Sequence, residues 1–103
     1  MTFRLSAAAE ADLIDIYIKG AQEFGVTQAE VYQDKLDQAL HLLGDNPKIA
    51  RLREETNPSV RIHPVEAHII VYLIDDQNIA RILRVRHQRE NWTADPVGTH
   101  NEQ

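Results

Sequence analysis

The chain has 103 residues, 43% of them hydrophobic and 26% charged, with four glycines, four prolines and no cysteine. A domain commonly holds roughly 100 to 150 residues, so the length fits one and excludes two. The composition excludes collagenous, disulfide-scaffold and disordered classes, and the lack of cysteine excludes thiolate chemistry and sulfur-ligated zinc.

The formal net charge of −5 argues against a whole-surface nucleic-acid binder, which needs a concentrated positive face. No direct sequence-specific DNA binding is expected. The charge is also two-ended: residues 7–45 carry eight acids against Lys19 and Lys35, whereas 81–89 carry Arg81, Arg84, Arg86 and Arg89 with no acid. The first residues, Met1-Thr-Phe-Arg-Leu, lack the basic-then-apolar pattern of a signal peptide. The longest apolar run, Ile69 to Ile74, is far short of the roughly 20 residues a membrane span requires. A soluble cytoplasmic protein with no membrane contact is expected.

In chain order, Thr2 to Leu5 reads as a short strand, and Ser6 as the N-cap of a helix through Phe24. On that helix Leu13, Ile14, Ile16, Tyr17, Ile18, Ala21 and Phe24 cover an apolar arc of about 200°, which needs more than one neighbour. Asp12, Asp15, Lys19, Gln22 and Glu23 fall in the polar sector. Gly25 suits a left-handed C-cap, and Thr27 with Glu30 spells a capping box, stapled by Val26 and Val31, for a second helix beginning at about Gln28. Its stripe is Ala29, Tyr32, Leu36, Ala39, Leu40 and Leu43, ended by Gly44 and Pro47, and the short link predicts an antiparallel hairpin.

Residues 45–60 read as a loop with at most one helical turn. Three strands follow: Arg61–Val65, His68–Ile74 and Ile79–His87, with a tight turn at 75–78. Pro64 pushes the first of these toward an edge or a bulge, and HIIVYLI, apolar on both faces, should be central. The fold class is α+β, in the order β-α-α-β-β-β, with an antiparallel helical hairpin packed on a small antiparallel sheet. One domain covers 1–92, and 93–103 is a loose C-terminal tail.

Strict alternation on the last strand places Ile79, Arg81, Leu83, Val85 and His87 on one face, and Ala80, Ile82, Arg84 and Arg86 on the other. Arg84 and Arg86, with Arg89 beyond, could grip carboxylates or phosphates bidentately, or could merely keep a half-exposed strand soluble. His63, His68 and His87, on consecutive strands, could converge for acid–base or metal chemistry, although their spacing matches no metal motif. A strand histidine near arginines is more often a hydrogen-bonded structural residue. Trp92 either docks the C-terminus or anchors an interface. No phosphate loop and no Ser/His/Asp order are present.

The string HIIVYLIDDQNIARILRVRHQRENW resembles the C-terminal signature of ParE toxins of the RelE/ParE superfamily. Upstream, LSAAAEADLIDIY, FGVTQAEVYQDKL and LLGDNP resemble that family's landmarks in order and spacing, so the likeness covers residues 3–92. It implies the fold read above and a toxin of a type II toxin–antitoxin system. It also implies a ParD-like antitoxin, a toxin–antitoxin hetero-oligomer, and action on DNA gyrase by protein contact without cofactor or metal. Target-binding residues would be Arg84, Arg86, Arg89 and Trp92. The alternatives are a ribosome-dependent mRNA endonuclease of the RelE branch, with Arg61, Arg86 and His87 as catalytic residues, and a non-toxic antitoxin-binding member. His68 stands where nuclease members often carry Arg, and Trp92 near where they often place Tyr. With the net charge, these departures favour the ParE branch. Gln88 and Asn91 replace the family's Gly and Asp.

Overall fold

Ser6 sets the boundary between the first strand and the first helix. Its Oγ accepts from the Ala9 amide at 2.9 Å as an N-cap, and the same hydroxyl donates to the Leu83 carbonyl at 2.8 Å, so the cap is tied to the last strand. The computed structural model describes residues 2–90, 92–93 and 95–97. It contains β1 (Phe3–Leu5), α1 (Ala7–Phe24), α2 (Val26–Asp45), β2 (Leu52–Arg53), β3 (Val60–Val65), β4 (His68–Ile74) and β5 (Ala80–His87).

The strand order is β1-β5-β4-β3-β2. The α+β class holds, and the sheet is mixed rather than purely antiparallel because β1 lies parallel to β5. Parallel neighbours need a long crossover, and here nearly the whole chain separates the two strands. β4 is central, as its two apolar faces predict. Ile70 and Tyr72 join Ala9, Leu36, Ala39, Leu40, Leu43, Ala80, Ile82 and Val85 under the helices. On the back of the sheet Ile69 and Val71 pack with Val60, Ile62, Leu83 and Trp92.

The arc read on α1 is wider than the fold can bury: Ile14 is 61% exposed and Phe24 70%, with Ile18 also open to solvent. Only Ala9 of this helix is fully covered, while Leu13 and Ile16 are partly packed. The joint between the helices also departs from the sequence reading. Gly25 is at once C-cap of α1 and N-cap of α2, with φ 92° and ψ 160°, its N–H donating to Ala21 and its carbonyl accepting from Ala29. That backbone is not the left-handed helical one expected, but it lies in a region that only glycine occupies without strain. With no residue to spare between the helices, α2 begins at Val26. Thr27 then falls inside the first turn and makes no side-chain cap. Gly44 does not end α2 either; an added Cβ would meet the Thr2 carbonyl at 3.1 Å, so it admits β1.

Residues 45–60 hold the short strand β2, which alternation could not show. Tyr72 donates its hydroxyl to the Pro47 carbonyl at 2.8 Å, Arg61 donates to the Ala50 carbonyl, and Thr56 Oγ bonds the carbonyls of Arg53 and Pro58. The loop is thereby folded back so that Leu52 and Arg53 pair with Arg61 and Val60. β2 covers β3 only there, and Pro64 falls beyond it, where β3 has no outer partner and its missing N–H costs nothing. The expected loose tail has a held stretch at 95–97, where Pro96 is fully buried. Asn91, Ala94 and residues 98–103 lie outside the described residues, among which no helix is long and apolar enough to cross a membrane.

These placements order three substitutions. Leu36, 1% exposed in the core, should cost roughly 2–5 kcal/mol as Leu36→Ala, and Gly25→Ala about 1–3 kcal/mol through backbone strain. Thr27→Ala, which removes no cap, should stay within about 0.5 kcal/mol of the parent. Urea denaturation of the three variants measures the order directly.

Candidate functional site

A β-bulge decides which way the arginine strand faces. Val71 pairs with Arg84 but Tyr72 pairs with Ile82, so Leu83 is the extra residue and the two-residue alternation slips by one. Val85 and His87 therefore join Ala80 and Ile82 on the helix side, contrary to strict alternation. Arg84 and Arg86, opposite Val71 and Ile69, face the back with Leu83.

β1 pairs with β5 only from Ala80 to Ile82, which leaves the edge of β5 open from the bulge onward. Asp12 of α1 fills that edge. Its Oδ2 accepts from the Val85 amide at 2.9 Å and from Arg84 Nε at 2.6 Å, and its Oδ1 accepts from Arg84 Nη2 at 3.0 Å. The two side chains are 16% and 21% exposed, and the carboxylate raises the Arg84 pKa above its ordinary value. Arg84 Nη1 also donates to the Val97 carbonyl at 2.7 Å. Arg86, 14% exposed, pairs with Glu90 at 2.7 Å and donates to the carbonyls of Asp95 and Pro96. Both arginines are thus engaged by the chain itself. Arg89 stays exposed, and Trp92 packs into the back core with the Arg53 guanidinium 5.4 Å from its ring centroid.

On the helix side, a cleft of about 750 Å³ opens between the hairpin and the ends of β4 and β5, walled in part by Ile16, Phe24 and Arg89. At its centre Tyr32 Oη lies 2.6 Å from His68 Nδ1, and the His68 and His87 rings meet edge-on with centroids 5.2 Å apart. Tyr32 Oη also accepts from the Ala67 amide at 3.2 Å and lies 3.5 Å from the Val65 carbonyl. The Arg89 amide donates to His87 Nδ1. The His87 ring therefore accepts at Nδ1. Burial first, and the neighbouring His87 second, push the His68 pKa below its usual value, which keeps that ring neutral at pH 7.

The three candidate nuclease residues are not assembled. Arg61 is opposite Tyr72 and His87 opposite His68, four β4 positions apart or about 13 Å, and Arg86 is on the other face. His63 lies opposite Ile70, two positions from the His68–His87 pair, its pKa lowered by burial. Among the described residues no group of three or more His, Asp or Glu could hold a metal ion. Asp12 and Tyr32 were missed by sequence reasoning. Tyr32 counted as core, and nothing in the helical periodicity separates Asp12 from its solvated neighbour Asp15.

The family model described as "ParE toxin of type II toxin-antitoxin system, parDE" matches residues 3–92. The chain belongs to the ParE toxin family. Toxin ParE1 of Mycobacterium tuberculosis is 33% identical over 87 residues, covering 84% of this chain and 89% of that protein. Toxin ParE1 of Caulobacter vibrioides is 30% identical over 89 residues, covering 86% and 91%. A solved structure titled "Chromosomal ParDE TA system from P. aeruginosa" shares the fold with a TM-score of 0.73 at 20% identity, over 84% of this chain and 95% of that one. In this ParE-family protein two of the segments that carry the resemblance, LSAAAEADLIDIY and HIIVYLIDDQNIARILRVRHQRENW, are joined by the bond between Asp12 and Arg84.

The neutral His68 gives the cleft a pH dependence of defined sign. Its folded pKa lies below the ordinary value of 6.5, so the folded state binds fewer protons than the unfolded one. Stability is full above about pH 6.5 and is lost as the pH falls from there through the folded pKa. His68→Asn should shrink the loss between pH 7.5 and 5 measured by urea denaturation, with His63 supplying part of what remains.

Proposed function

We propose that this ParE-family toxin inhibits DNA gyrase in the cytoplasm by protein contact rather than by catalysis, and that a ParD-like antitoxin silences it in a hetero-oligomer. The observation that carries the contact reading is the dispersal of Arg61, Arg86 and His87. Ribose activation and phosphate stabilisation need their groups around one scissile bond, and these lie on two faces of a sheet. The antitoxin reading is supported by the apolar surface that α1 leaves uncovered at Ile14, Ile18 and Phe24, which suits an amphipathic segment. Eight acids over residues 7–45 favour a basic or mixed-charge flank on it.

Of the four residues expected to hold the target, Arg84 and Arg86 act here through the segment they anchor, Trp92 through the back core, and Arg89 by direct contact. The ribonuclease alternative keeps one favourable observation, the Tyr32–His68–His87 cluster in the cleft, which holds a tyrosine hydroxyl and two imidazoles within reach of one another.

Growth arrest on induction and gyrase supercoiling in vitro, measured on folded variants, separate the readings. Arg89→Ala should weaken inhibition by about 1–3 kcal/mol of binding, roughly 5- to 150-fold, while His87→Ala stays within a few-fold of the parent. Loss of toxicity in His87→Ala alone, with supercoiling untouched by every variant, would establish the ribonuclease instead. Co-purification with the product of the adjacent reading frame tests the antitoxin, and the lack of a stable complex at micromolar concentration would contradict it.

A further inference from the structure

The turn that follows β5 is held at more points than an ordinary surface turn. Arg89 lies in it, exposed on the wall of the cleft, with no ion pair among the described residues. The backbone around Arg89 is tied on both sides. The Gln88 amide donates to the Ala67 carbonyl at 2.9 Å, the Arg89 amide to His87 Nδ1 at 3.1 Å, and the Glu90 amide to the His87 carbonyl at 3.0 Å. Gln88 adds a bond from its side chain, whose Nε2 donates to the Glu66 carbonyl at 2.7 Å. That carbonyl belongs to the two-residue turn between β3 and β4, where Glu66 has φ 54°, a left-handed backbone uncommon outside glycine. The turn is in its own right tied to α2, since Tyr32 Oη accepts from the Ala67 amide at 3.2 Å and Lys35 pairs with Glu66 at 3.7 Å. Gln88 thus connects Arg89 to a turn that the hairpin already holds.

We propose that Gln88 is a positioning residue for target recognition, its side-chain amide setting where Arg89 stands on the wall of the cleft. The inference rests on the reading of Arg89 as a direct contact to the target, and it names what makes that contact effective. An arginine on a loose turn loses part of its contact energy to the ordering of backbone and side chain together, whereas one on a fixed turn has only its own rotamers to order. The position asks for two properties at once. Its side chain must be long enough to cross from the end of β5 to the neighbouring hairpin turn, and it must end in a donor, because the group it meets there is a carbonyl. Glutamine has both. Alanine has neither, and glutamate has the length but brings only acceptors against that carbonyl.

The full chain is assayed for inhibition of gyrase supercoiling as Gln88→Ala, Gln88→Glu, Arg89→Ala and the double variant Gln88→Ala with Arg89→Ala. Gln88 is exposed, so each variant keeps its core. Gln88→Ala should weaken inhibition roughly 3- to 10-fold, the effect of one hydrogen bond, and Gln88→Glu should match it. On the Arg89→Ala background, Gln88→Ala should change potency by less than about twofold. An equal loss on both backgrounds would overturn the proposal, because the bond would then act on stability alone, and so would parental potency in Gln88→Ala or Gln88→Glu. Backbone amide relaxation by NMR on the isolated chain decides the positioning apart from the target. The order parameter of Arg89 should fall from about 0.85 in the parent towards about 0.6 in Gln88→Ala, and an unmoved value would overturn the positioning. Parental potency in Arg89→Ala, with the order parameter lowered in Gln88→Ala as expected, would overturn the reading of Arg89 as the target contact instead.

Discussion

One carboxylate, Asp12, sets the relation between the helices and the sheet. The bulge at Leu83 and the early end of β1 leave the Val85 amide at an open strand edge, and an unsatisfied buried donor costs about 1–3 kcal/mol. Asp12 accepts that proton, but as an anion drawn partly out of water it needs a counter-charge. Arg84 supplies it with two bonds of its own. The remaining guanidinium nitrogen then reaches the Val97 carbonyl on the far side, so one group links α1, the edge of β5 and the C-terminal segment.

The distribution of functional surface follows from that node. Once Arg84 is committed to Asp12 and Val97, and Arg86 to Glu90 and the carbonyls of 95 and 96, the arginine run is a set of braces rather than an open cationic patch. Arg89 alone of the three proposed grips stays outside these braces, at the cleft. The same bulge turns Val85 and His87 inward, which places His87 against His68 and defines the inner end of the cleft. α1, fixed by Asp12, leaves Ile14, Ile18 and Phe24 largely exposed.

Much of this was legible in the order of residues. The strands β3 to β5 to within one residue at their ends, the Ser6 cap, the α2 stripe and the central place of HIIVYLI all rest on local rules of periodicity and capping, and all are present. The departures share a physical cause, because each depends on a partner distant in sequence. Strict alternation misplaced Val85 and His87, since a bulge leaves no mark in a run of β-branched residues. β2 exists only because Tyr72, Arg61 and Thr56 fold the loop back onto β3. Thr27 and Glu30 have the composition of a capping box, but the helices meet at Gly25 and leave no turn for it. Asp12 looked like any exposed acid because the need it meets arises 73 residues later, at Val85. Family resemblance supplied the toxin class, which no single side chain in the chain declares.

The coupling between Asp12 and Arg84 is the quantity on which the rest depends, and a double-mutant cycle of Asp12→Ala and Arg84→Ala, read by urea denaturation, measures it. A fully buried pair broken on one side typically loses about 3–5 kcal/mol. With both side chains partly exposed, a coupling near 2 kcal/mol is expected, so that the double variant is clearly more stable than the sum of the single losses implies. Losses that add to within about 0.5 kcal/mol would contradict it, and would return Arg84 to the surface as a residue free to grip a target.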